Sequence, residues 1–158
     1  MAAGFLLNNQ LTDFSFRPAG DDGAPIANAV APGKRPRSSM SPTIVYRLET
    51  PGRAYILAGS PGGSRIPEYV AGALVAMLDF GADPAAAAAL AHVSQRNGAK
   101  LVLELDAHPR GLGEALAAMG HVVGTTAMTS GLHIIRNLPG GTLEGGADPR
   151  REGIALAD

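Results

Sequence analysis

Between Arg17 and Ser39 the chain places Pro18, Gly20, Gly23, Pro25, Pro32, Gly33 and Pro36. Proline removes a backbone donor and clashes inside a helix, and neither residue suits the middle of a sheet. That spacing forbids a helix or a central strand and predicts one long loop. Loops of this length inside a compact domain are usually functional or disordered. Regular structure must therefore be drawn from the flanks. Residues 1–15 read as a short strand, a turn around Asn8–Asn9, and then Asp13 and Ser15.

Beyond the loop, Thr43–Leu48 and Ala54–Ala58 are β-rich runs joined by Glu49-Thr50-Pro51-Gly52, a hairpin pattern. Gly59-Ser60-Pro61-Gly62-Gly63-Ser64-Arg65 follows directly. Ile66, Val70, Ala73, Leu74, Met77 and Leu78 then recur at helical spacing up to Gly81. Asp83-Pro84 reads as an N-cap with proline at the first helical position, opening an alanine-rich helix. Leu101, Leu103 and Leu105 alternate as in a strand, and Leu112–Met119 is a short helix closed by Gly120. Val122–Val123 and Leu132–Arg136 predict further strands, with Gly140-Gly141 as a turn and Thr125-Thr126 as a β-rich connection. The class is α+β, without an internal repeat.

Composition narrows the chemistry. Hydrophobic residues make up 46% of the 158, enough for a core, but aromatics are only 4%, so that core rests on Ala, Val, Leu and Ile. The net charge of -1 gives no basic footprint for nucleic acid or an anionic membrane surface. No apolar run approaches the roughly 20 residues of a membrane span. The start lacks the basic region of a secretory signal. Cysteine is absent, which excludes disulfides, thiolate metal sites and a cysteine nucleophile. His92, His108, His121 and His133 have no metal-ligand spacing.

The strand–glycine turn–helix unit at residues 59–65 carries the strongest local signal. Glycines allow close backbone approach, and N–H groups at a helix start converge on negative charge. The turn is either such an anion cradle or a tight turn requiring positive φ. It lacks the Gly-x-x-x-x-Gly-Lys pattern and a full GxGxxG. Arg35, Arg37, Ser38 and Ser39 could together hold a carboxylate or form a solvated loop. Gln10 and Asp13 could receive an ammonium or mark an ordinary turn.

Four segments in register settle on one likeness: Leu7–Ser15, Asn28–Thr43, Gly59–Ile66 and Gly145–Arg150. Together they resemble the γ-glutamyltranspeptidases, or glutathione hydrolases, over essentially the whole length and specifically the later part of the small subunit. The resemblance implies a partial αββα sandwich of the N-terminal-nucleophile hydrolase type, with residues 1–158 as a single-domain fragment. It implies that Gln10 and Asp13 hold the α-amino end of a γ-glutamyl substrate. Ser38 and Ser39 would fix its α-carboxylate, and Gly62 and Gly63 would donate to the oxyanion. No metal or organic cofactor is implied.

The resemblance also defines what differs. Family members cleave themselves before a threonine in a Thr-Thr-His-type motif, and that threonine supplies nucleophile and base. Thr125-Thr126 cannot replace it, because Ala127-Met128 follows and the pair comes after the substrate motifs. The expected partners are therefore the large subunit, which brings a carboxylate-binding arginine, and the upstream part of the small subunit. The chain alone is expected to be inactive. An inactive remnant or partner-docking half is the alternative, and a phosphate-binding module on Gly59–Arg65 a third reading. The loop from Arg17 to Ala31 has no Tyr or Trp, implying an open pocket. Complete bacterial-type relatives imply a periplasmic or secreted setting.

Overall fold

The structure is a computed structural model and describes Gly4 and residues 7–156. The strand expected at the start of the chain falls on residues outside those described. Two units make up the chain, Met1–Ser39 and Met40–Asp158.

In the first unit, Asn8 and Asn9 lead into a 3-10 turn, Gln10–Asp13, whose Thr12 N–H and hydroxyl both donate to the Asn9 carbonyl at 3.0 and 2.8 Å. Phe14 is buried immediately after it. The proline- and glycine-rich stretch forms no helix or extended strand, as its sequence requires. Single bridges hold its shape, parallel between Ser15 and Ala29 and antiparallel between Ala19 and Pro25. The Lys34 ammonium donates to the carbonyls of Ala27 and Ala29, drawing the loop around one cation.

The second unit contains β1 (Thr43–Tyr46), β2 (Ala54–Gly59), α1 (Ile66–Leu78), α2 (Pro84–Ala89), β3 (Val93–Ser94), β4 (Lys100–Glu104), α3 (Leu112–Ala118), β5 (Val122–Thr126), β6 (His133–Asn137) and β7 (Leu143–Ala147). An antiparallel sheet runs β1-β2-β6-β7, and a second runs β3-β4-β5 with β4 and β5 parallel. Helix α3 makes the crossover that a parallel pair needs. The hairpin, α1, the capped α2, β4 and α3 all lie where the sequence placed them. The α+β class holds.

The cap on α2 is explicit: Asp83 Oδ1 accepts from the Ala86 N–H at 2.7 Å, and Pro84 needs no donor there. Ile56 and Ala58 of β2 and Ile134 of β6 point to the same side as Tyr69, Val70, Ala73 and Met77 of α1 and Ala87 and Ala88 of α2. Burying side chains such as Ile56 and Ile134 stabilises by about 1.5–3 kcal/mol each. The opposite face of this sheet is also apolar, yet Ile44, Leu57 and Ile135, which align across three strands, remain exposed.

Three differences from the sequence reading appear. Strand β3 was not expected, since two residues carry no periodicity. Strand β7 was not expected either, because Gly145, Gly146 and Ala147 are poor strand formers. Thr125 and Thr126 are not a connection but the end of β5, paired with Leu103 and Glu104.

Candidate functional site

The expected substrate residues of the first unit share one local frame. Gln10 and Asp13 begin and end the same 3-10 turn, and the Asp13 carboxylate is exposed. Asn28 joins that turn to the second motif. Its Nδ2 donates to the Asp13 carbonyl at 2.6 Å, and its Oδ1 accepts from the Arg37 N–H at 2.9 Å. Its own carbonyl accepts from the Ser15 N–H at 2.9 Å. One amide side chain thus links the Asp13 turn to the residue preceding Ser38. Ser38 is exposed and Ser39 half-buried.

Gly62 and Gly63 lie in the second unit, between β2 and α1. Gly62 has φ 138° and Gly63 φ 61°, both within the range that side chains resist. The Arg65 N–H donates to the Gly62 carbonyl at 3.4 Å, closing a 3-10 turn that runs into α1. Among the described residues, no acceptor takes the Gly62 or Gly63 N–H. The Ser60 hydroxyl braces the turn, donating to the Pro61 carbonyl at 2.6 Å and accepting from the Gly131 N–H at 3.1 Å.

Below the turn lies a polar network that the sequence reading did not foresee. Tyr69, 1% exposed, packs its ring on His92 at 4.3 Å between centroids. His92 Nε2 donates to Ser130 Oγ at 2.7 Å, because the single Ser130 proton goes to Asp148 Oδ2. Arg150 grips Glu104 with two bonds, Nε to Oε1 at 2.6 Å and Nη2 to Oε2 at 2.7 Å, and reaches Asp148 Oδ1 at 3.1 Å. The His92 N–H donates to Glu104 Oε2 at 2.9 Å. These residues are scattered from 69 to 150, which hides them from pattern reading; Asp148-Pro149-Arg150 is the part visible as a motif.

Serine, histidine and aspartate meet here, but in the wrong order for a nucleophile. Attack requires histidine between serine and carboxylate, whereas Ser130 sits between His92 and Asp148 and is 0% exposed. The network is structural. Burial holds the His92 imidazole below its ordinary pKa, and the Arg150 charge adds to this. Burial pushes the Glu104 and Asp148 carboxyls up. For Glu104, bonds from Arg150 and His92 outweigh it; for Asp148, bonds from Ser130 and from the Arg150 and Leu132 N–H groups do. Both end below their usual values. Among the described residues, no three ligating side chains cluster to hold a metal, and no helix is long and apolar enough to cross a membrane.

The whole chain, residues 1–158, matches the family described as Gamma-glutamyltranspeptidase. It is 39% identical over 157 residues to the glutathione hydrolase proenzyme of Escherichia coli (strain K12), covering 94% of this chain and 26% of that protein. The glutathione hydrolase proenzyme of Bacillus subtilis (strain 168) is 34% identical over 155 residues, at 97% and 25% coverage. The solved γ-glutamyltranspeptidase of Pseudomonas nitroreducens, complexed with L-DON, superposes with a TM-score of 0.80 at 33% identity, covering 99% of this chain and 83% of that one. The chain spans about a quarter of the length of the curated relatives it matches. The α+β fold is that of the N-terminal-nucleophile hydrolases to which these solved structures belong.

Proposed function

The chain belongs to the γ-glutamyltranspeptidase family, and from that premise we propose that it is the later part of a small subunit, a single-domain fragment in the complete enzyme. That enzyme transfers the γ-glutamyl group of glutathione-like substrates to water or an acceptor amine. The observation carrying this reading is the Gly62-Gly63 turn, where positive-φ backbone leaves two N–H donors at the mouth of α1 with no acceptor among the described residues. Donors of that kind suit an oxygen that gains charge during reaction, each being worth roughly 3–4 kcal/mol in the transition state.

The proposed sequence of events needs groups from outside this chain. An N-terminal threonine hydroxyl attacks the γ-carbonyl carbon while its amine takes the proton. The resulting oxyanion rests on the Gly62 and Gly63 N–H groups. Collapse breaks the C–N bond, the proton goes to the leaving amine, and an acyl ester remains for water or an acceptor amine to attack. Asp13 pairs with the substrate ammonium, assisted by Gln10; Ser38 and Ser39 bond its α-carboxylate. No metal or organic cofactor takes part. The large subunit and the upstream part of the small subunit complete the site and cover the apolar face at Ile44, Leu57 and Ile135. The complete protein works in the periplasm or outside the cell.

The test is hydrolysis of a γ-glutamyl anilide by the chain alone, then after adding the separately made complement. Turnover only in the mixture is expected. Turnover by the chain alone would sink the proposal and direct the search to Ser38 and Ser39. Inactivity of the mixture, together with unrelated coding sequence upstream of Met1, would instead identify an inactive docking remnant.

A further inference from the structure

Arg65 ends the glycine turn, and its Nε is buried with no hydrogen-bond partner among the described residues. A buried donor left unsatisfied is destabilising, the more so when it is charged. The nearest acid along α1 offers no relief. Glu68 accepts from the Ser94 hydroxyl at 2.5 Å through Oε2 and from the Gln95 N–H at 2.8 Å through Oε1. Arg65 lines a cavity of about 480 Å³ together with Ser94, Arg96 and Lys100. Neither Arg96 nor Lys100 pairs with a carboxylate among the described residues. Three cations that form no ion pair among the described residues thus line one space, in a chain whose net charge is -1.

We propose that this cavity is a binding site for an oxyanion of two or more charges, a polycarboxylate or a phosphate group held by Arg65, Arg96 and Lys100. Arg65, half-buried in the wall, fixes orientation, since the guanidinium fork matches carboxylate and phosphate oxygens through paired N–H groups. Arg96 and Lys100, exposed at the rim, supply attraction that salt screens. The volume lies within the range of small-molecule sites. Such a ligand is either a free small anion or the carboxylates of another stretch of polypeptide.

Calorimetric titration of the full 158-residue chain separates these sources, using citrate, inorganic phosphate and an acetylated hexaglutamate peptide at about 0.05 M ionic strength. Two variants accompany it, Arg65→Gln and the double Arg96→Gln/Lys100→Gln, each checked for native circular dichroism. The double variant alters only exposed side chains, so it keeps the test open if Arg65→Gln misfolds. One-to-one binding that weakens about tenfold or more in the variants is expected, roughly the loss of one charge-assisted bond. Binding of citrate or phosphate assigns a free anion, and binding of the peptide alone assigns polypeptide carboxylates; both support the site. No binding by any probe, or binding unchanged in the double variant, overturns it.

Discussion

The Tyr69 ring fills the space that a side chain at residue 62 would need: a Cβ on Gly62 would stand 2.6 Å from Tyr69 Cε2. Tyr69 cannot step aside, being buried and stacked on His92. Gly62→Ala is therefore expected to destabilise the chain by about 2–4 kcal/mol, read as a lowered urea midpoint. Gly63 has open space around it and pays only for its positive φ, roughly 1–2 kcal/mol. In the complete enzyme Gly63→Val is expected to cut kcat about a hundredfold while KM holds. An unchanged kcat would leave the turn a purely structural one.

Asp13→Asn tests the substrate end. Replacing a carboxylate by an amide keeps the shape and removes the charge that would face an ammonium. In the complete enzyme KM should rise about tenfold or more, with kcat changed less. Unaltered kinetics would take Asp13 out of the site.

Asn28 should matter through the segments it ties together. Asn28→Ala removes two side-chain bonds, at about 1 kcal/mol each, and should speed proteolysis between Arg17 and Ser39. Asn28→Asp can still accept from the Arg37 N–H but cannot donate to Asp13, so an intermediate cleavage rate is expected. Equal rates in all three proteins would show that the bridge holds nothing.

Acid should weaken the second unit in two stages. His92 stays neutral in the fold, with its pKa below the ordinary 6.5, so the unfolded chain takes up a proton first as pH falls through 6.5. Stability is complete above that value and drops beneath it until the folded imidazole also titrates. Glu104 and Asp148, held below 4.5 and 3.8, lose their contribution only at lower pH. Melting temperature against pH should show the upper step, and His92→Gln should erase it. A variant with the same upper step would mean another group causes it.

Arg150 carries the heaviest structural duty in the network. Removing it leaves Glu104 and Asp148 as buried charges without their counter-ion. Arg150→Ala should cost roughly 3 kcal/mol or more, whereas losing an exposed pair such as Arg17–Asp21 should cost under about 1 kcal/mol. Similar chemical-denaturation midpoints for Arg150→Ala and Arg17→Ala would contradict this.

Elements that announce themselves locally were legible. The Pro51-Gly52 turn, the helical spacing after Ile66, the Asp83-Pro84 cap and the Gly120 stop each encode their structure within a few residues. Strands β3 and β7 do not, because partners impose them. Val93 and Ser94 extend only because β4 lies alongside, and Gly145–Ala147 only because β6 does. The same holds for the site. Gly62-Gly63 and the Asp13 turn could be found as contiguous motifs, while the Asn28 bridge and the His92–Arg150 network exist only once distant segments meet.

The central place of β2 has a consequence for synthesis. Its first edge meets β1 at once through a short turn, but its second edge must wait for β6. The ribosome produces α1, α2 and the entire second sheet in the meantime. Throughout that interval the nascent hairpin carries an unpaired edge beside an unfinished apolar face, the condition under which strands of neighbouring chains join. A force-sensing arrest sequence placed at successive positions should accordingly register folding tension only after Asn137 has cleared the exit tunnel, with little pull from the hairpin itself.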